Sequence, residues 1–203
     1  MAKRKISPQV YRGHIPAVTE AAPQPEYVSP LARNTLPAIS WYEFVATGFF
    51  SGYLPKAPGT WGSLFAVLLF FLSARIIPNE GIFKAGFLPV SWWAILLGIF
   101  TTVIGIVSSQ KLADEWREKD PGEIVIDEFA GIFFACALIQ PSVTSLAAAF
   151  IFFRIFDIMK PGPVYALQNL PSGRGIVLDD VLAGIFAAPL AFAAEFALGK
   201  ISG

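Results

Sequence analysis

Five carboxylates stand at the edges of apolar runs: the adjacent pairs Asp127-Glu128 and Asp179-Asp180, and the single Asp157. Two cations flank Asp157, Arg154 three residues before it and Lys160 three residues after it. Hard oxygen ligands in this number are what Mg²⁺ requires, and cations beside them suit a phosphate. Each acid also has a plainer explanation, because a carboxylate ahead of an apolar run caps a helix and offsets its dipole. A cap needs one acid, however, and a second one at an apolar boundary is an unpaired charge. Asp179 and Asp180 are expected to begin the final helix, one of them as its cap. Arg154 and Asp157 form an i,i+3 pair, and Pro161 ends their helix near Lys160 by disfavouring helical geometry there.

Two glycine-bearing segments add to this set. Pro58-Gly59-Thr60-Trp61-Gly62-Ser63 leads into an apolar helix, whose free N-terminal amides attract anions. Gly173-Arg174-Gly175 precedes the last acidic pair and reads as a flexible loop or a phosphate cradle. Other phosphate chemistries fail on the letters. Cys136 has serine, not arginine, six positions on; the single histidine, His14, lies near the N-terminus; and no Asp-x-Asp pair is present for an aspartyl-phosphate. A direct metal-assisted route and a covalent carboxylate intermediate both stay open.

The elements that must position these residues follow from composition. The 203 residues are 55% hydrophobic and 15% charged, with a mean hydropathy of +0.59, whereas a soluble domain is roughly 25% charged. The missing charge corresponds to surface facing lipid. Fifteen Lys+Arg balance fifteen Asp+Glu, so the basic face that nucleic acid demands is absent. One cysteine permits no disulfide framework.

A spanning helix takes about 20 apolar residues, and four gaps between charges approach that length. Lys56 to Arg75 encloses the run Leu64 to Leu72; Lys84 to Lys111 encloses Val90 to Val107, with Trp92 and Trp93 at the interface. Glu128 to Arg154 is broken by Gln140-Pro141-Ser142, so residues 129–139 and 143–156 are expected to form a tight or re-entrant helical hairpin. Asp180 to Glu195 gives a last helix, carried on to Lys200. Residues 1–40 hold five basic residues against two acids and many prolines, and are expected to be a disordered cytoplasmic tail ahead of a membrane domain at 41–203. The expected class is all-α, a polytopic helical membrane protein. The hairpin returns the chain to the face it left, so all five acids and both cations converge on the cytoplasmic side.

Four segments resemble the phosphatidylglycerophosphatase A family of bacterial membrane enzymes. They are Thr47-Gly48 through Pro58-Gly59-Thr60-x-Gly62-Ser63-Leu64; Ile124-Val125-x-Asp127-Glu128-x-x-Gly131; Phe153-Arg154-x-x-Asp157-x-x-Lys160-Pro161-x-Pro163; and Gly173-x-Gly175-Ile176-x-x-Asp179-Asp180-x-x-Ala183-Gly184. The resemblance covers residues about 41 to 198. It departs where Ser172 replaces a further glycine and Gln168-Asn169 replaces an Asp-Arg pair, which bears on headgroup fit.

The resemblance implies Mg²⁺-dependent hydrolysis of phosphatidylglycerophosphate to phosphatidylglycerol at the cytoplasmic face of the bacterial inner membrane. It implies Asp127, Glu128, Asp157 and Asp180 as catalytic ligands of one or two Mg²⁺, with Asp179 as cap or further ligand. Arg154 and Lys160 then hold the phosphate, with Gly59, Thr60, Gly62, Ser63, Gly173 and Gly175 around its remaining oxygens. The substrate is a bilayer phospholipid. Two alternatives stand beside this reading: a lipid phosphatase for another phosphomonoester, and a small ion or solute transporter. The transporter would place acids within spans, whereas these fall at span ends.

Overall fold

The computed structural model describes residues 39–77, 82–85, 88–171 and 173–201; the expected disordered tail lies almost wholly outside them. Trp41–Ala46 forms α1, opened by the Ser40 hydroxyl, which accepts from the Glu43 amide. A short 3-10 turn, Ser51–Tyr53, leads to α2, Pro58–Ile76. This helix starts six residues before its apolar run because proline fits the first helical position, where no amide partner is needed. Its 19 residues reach about 28 Å at 1.5 Å each, close to the thickness of a bilayer core.

Two short strands, β1 (Ile82–Ala85) and β2 (Leu88–Ser91), pair antiparallel with Ile82 opposite Ser91. No strand is expected here from the residues alone; four residues are too few to raise a period-2 signal. Ser91 caps α3, Trp92–Trp116, through its hydroxyl and the Ala94 amide. α4 (Ile126–Ala135) and α5 (Val143–Met159) are the two arms of the expected hairpin, with the break at Gln140-Pro141-Ser142 and a Ser142 cap on α5. A short α6, Gly162–Gln168, precedes α7, Gly173–Ile201.

Among the described residues, three helices, α2, α3 and α7, are long and apolar enough to cross a membrane. Their outward faces carry regularly spaced apolar residues, Leu64, Leu68 and Leu72 on α2 and Leu96, Phe100, Val103 and Val107 on α3, all exposed. That 3-to-4-residue spacing marks one helix face, and a face this apolar turned outward is a lipid face. The interior is built from small residues and aromatic rings, including the fully buried Phe70, Phe129 and Phe153.

Helix ends sort to two levels. The start of α3 meets the end of α4, where the Ser91 amide donates to the Ala137 carbonyl. Beside it the Gln140 amide donates to the Glu195 carboxylate near the end of α7. At the other level the Gly173 amide donates to Gln110 Oε1 on α3, and the Val125 amide to the Ala46 carbonyl. The starts of α2, α4 and α7 and the ends of α3 and α5 therefore share one end of the bundle.

Candidate active site

Asp127 and Glu128 occupy the first turn of α4, where backbone amides are free, and Asp127 Oδ1 accepts from the Glu128 amide at 3.0 Å. This agrees with the helix-start reading. The second acidic pair does not: α7 begins at Gly173, nearly two turns before Asp179 and Asp180, so neither acid caps it. Gln110, from α3, takes the Gly173 amide instead. Both acids are thereby buried inside α7, each 2% exposed.

Two glycines bring the pairs together. A β-carbon on Gly184 would overlap the Gly131 carbonyl, and one on Gly131 would meet the Phe153 ring and lie 2.8 Å from the Asp180 carbonyl. α4 and α7 thus cross with backbones in contact, as small residues allow between apolar helices. Asp127 and Glu128 lie one turn before Gly131, and Asp180 one turn before Gly184. One crossing therefore sets both acidic turns at the same height, and carboxylate oxygens of Asp127, Glu128 and Asp180 lie within 4.8 Å of one another.

α5 supplies the cations. Arg154 Nη1 lies 2.8 Å from Asp157 Oδ2, 3.7 Å from Glu128 Oε1 and 3.4 Å from Ser63 Oγ. Lys160 Nζ lies 3.7 Å from Asp157 Oδ1 and bonds Asp179 Oδ2. Asp157 so bridges both cations, and an unbroken sequence of charges runs Glu128, Arg154, Asp157, Lys160, Asp179. Lys160 closes α5 at φ +40° and ψ 62°, with its amide on the Phe156 carbonyl. A non-glycine residue in the left-handed region is costly, and Pro161 removes the helical alternative.

The glycine-bearing segments divide. Gly59 faces the cluster directly, since a β-carbon there would overlap Glu128 Oε1 and stand 3.2 Å from Arg154 Nη1. Ser63 Oγ donates to the Gly59 carbonyl at 2.7 Å while meeting Arg154. Thr60 is half-buried in the first turn of α2. Gly62 instead packs on Val125, Gly173 on the Ile106 carbonyl, and Gly175 on the Leu170 carbonyl. Close packing between segments accounts for these three, and the last two lie within α7 rather than in a loop. Asp120, which the motifs did not single out, completes the charged surroundings: burial raises its carboxyl, while Lys160 and Lys119 pull it down and Asp157 pushes it up.

The triad fits a divalent cation on its own geometry. Glu128 Oε2 is buried and meets no hydrogen-bond partner among the described residues. Burial pushes the Glu128 carboxyl up to about 8; hydrogen bonding to Asp127 opposes this, and the charges of Asp180 and Asp157 add to it. Asp127 is raised well above the usual carboxylate range, first by burial and then by the charge of Glu128. Crowded, desolvated carboxylates of this kind are stabilised as anions by a bound cation.

Helices long and apolar enough to span a membrane, a carboxylate triad with Glu128 and Asp180 buried and Asp127 half-buried, and a guanidinium–carboxylate–ammonium relay at one end define a polytopic membrane protein with a cation-competent site at the bundle end. The chain belongs to the Phosphatidylglycerophosphatase A family, whose model matches residues 44–195. It is 38% identical to Phosphatidylglycerophosphatase A of Haemophilus influenzae over 171 residues, 83% of this chain and 96% of that protein. It is 32% identical to Phosphatidylglycerophosphatase A of Escherichia coli over 166 residues, 80% of this chain and 88% of that one. A Bacteroides thetaiotaomicron protein named as a putative phosphatidylinositol-3-phosphatase is 34% identical over 158 residues, 76% of this chain and 94% of that protein. No solved structure matches the chain.

Proposed function

We propose that this protein hydrolyses the terminal phosphomonoester of phosphatidylglycerophosphate, in the presence of Mg²⁺, at the cytoplasmic face of a bacterial membrane. The observation that carries the reading is the meeting of three helix-borne carboxylates with two bridged cations at the end of a membrane bundle. Family membership supplies the reaction class.

Phosphomonoester hydrolysis is slow because anionic oxygens repel the attacking water, so the site must neutralise charge and fix the approach. Asp127, Glu128 and Asp180 would hold Mg²⁺, which when bound neutralises phosphate oxygens and acidifies a bound water. Arg154 and Lys160 bind the oxygens of the same phosphate. Asp157 holds the two cations in register, Asp179 fixes Lys160 from the opposite side, and Ser63 steadies the guanidinium. Gly59 leaves Glu128 and Arg154 room to meet the phosphate. Water adds to phosphorus and gives a proton to a carboxylate of the set, the bond to the glycerol oxygen breaks, and that oxygen takes up a proton as it leaves, so that proton uptake and release balance. Phosphatidylglycerol and inorganic phosphate leave.

A second reading, dephosphorylation of another phospholipid phosphomonoester, is favoured by the inositide name of the Bacteroides thetaiotaomicron relative. Purified protein assayed on phosphatidylglycerophosphate, phosphatidylinositol 3-phosphate and phosphatidic acid separates the two. The expected result is preferential phosphate release from the first, abolished by EDTA and restored by Mg²⁺. Release that persists in excess EDTA refutes the metal, and preference for the inositide refutes the substrate.

A further inference from the structure

Beside the Lys160 end of the site lies a cavity of about 300 Å³. Its walls come from three elements: Lys119 and Asp120 before α4, Tyr165, Gln168 and Asn169 at the end of α6, and Gly175 in α7. Its position relative to the reaction centre follows from shared structure. α6 begins directly after Lys160-Pro161, and Gly175 lies one turn before Asp179, which holds Lys160. Asp120 senses the charges of both Lys160 and Asp157. A β-carbon on Gly175 would overlap the Leu170 carbonyl and stand 3.0 Å from the Gln168 carbonyl. The turn after α6 is thus seated directly on α7, which fixes Gln168 and Asn169 at the cavity wall.

The chemistry of these walls differs from that of the triad. The Gln168 and Asn169 amides each offer donors and an acceptor, Asp120 accepts, and Lys119 carries a cation. Paired donors and acceptors match hydroxyl groups, and an ammonium matches a singly charged phosphodiester. A phosphate monoester held by Arg154 and Lys160 continues into such groups: a polyol, then the diester that joins it to diacylglycerol. We propose that this cavity binds the polyol and diester of the headgroup, with Gln168, Asn169 and Lys119 as specificity-determining residues. The assignment rests on the lipid-phosphatase reading above and adds to it the place where the headgroup is selected.

Steady-state hydrolysis of phosphatidylglycerophosphate by the full chain and by a Gln168→Ala/Asn169→Ala variant in detergent micelles tests it. Phosphatidic acid, which carries a terminal phosphate without the polyol diester, serves as a competing ligand. The variant is expected to raise KM about tenfold while keeping kcat within about threefold, because hydrogen bonds to the polyol stabilise ground and transition states alike. Its inhibition by phosphatidic acid is expected to match that of the wild type. Lys119→Ala is expected to give the same split. An unchanged KM, or phosphatidic acid affinity falling in parallel, overturns the cavity assignment and leaves the phosphatase reading intact. A wild type that releases phosphate from none of the three lipids named above overturns both.

Discussion

The Gly131 carbonyl occupies the space that a β-carbon on Gly184 would need. This backbone contact between α4 and α7 sets the height at which Asp180 meets Asp127 and Glu128, so the geometry of the acid triad is decided one turn away from it. Gly184→Ala is expected to force the helices apart, costing about 1–3 kcal/mol of stability and roughly 100-fold in turnover through displacement of Asp180. Thermal unfolding in detergent and phosphate release, measured on the same preparation, check this. Wild-type turnover would remove the crossing from the construction of the site.

Asp180 and Asp157 are expected to fail differently. Asp180 lies with Asp127 and Glu128, whereas Asp157 pairs with Arg154 and Lys160. Asp180→Asn should raise the Mg²⁺ concentration for half-maximal activity by about 10-fold or more. Asp157→Asn should leave that concentration near the wild-type value and lower kcat/KM by about 100-fold, because Arg154 and Lys160, the cations proposed to hold the phosphate, lose their shared anchor. Magnesium titrations of both variants decide the matter; identical metal curves would merge the two groups into one.

Gly59 stands against both Glu128 and Arg154. Gly59→Ala should therefore reduce activity by about 10- to 100-fold while leaving the unfolding temperature within about 2 °C, since the residue is half-buried at a helix start. Gel filtration and thermal unfolding separate this from misfolding. Full activity in the alanine variant would show that the guanidinium tolerates displacement.

The sidedness of the bundle is testable by labelling. Gly122 and Gly162 have open space around them, at the end of the bundle that carries the acids, while Lys84 is exposed on β1. In a Cys136→Ser background, Gly122→Cys and Gly162→Cys should react with a membrane-impermeant maleimide from the cytoplasmic side, and Lys84→Cys from the opposite side. Opposite labelling of the two glycine positions would break the hairpin topology.

The linear chain already contained the broad plan. Gaps between charges located α2, α3 and α7, and Gln140-Pro141-Ser142 located the hairpin turn, because lipid excludes charge and proline cannot continue a helix. The acids, Arg154 and Lys160 were legible as a set because carboxylates and cations at apolar boundaries are costly without partners. Three features were not legible. The start of α7 at Gly173 depends on Gln110, 63 residues away in sequence, and Gly62, Gly173 and Gly175 are glycines because of backbones and side chains packed against them from other segments. The division of five acids into a triad and two cation anchors depends on where α4, α5 and α7 cross. Residue type states what a group can do, through its charge, size and hydrogen-bonding capacity. Which partner it meets is set by contacts between helices distant in sequence, and those exist only in the folded bundle.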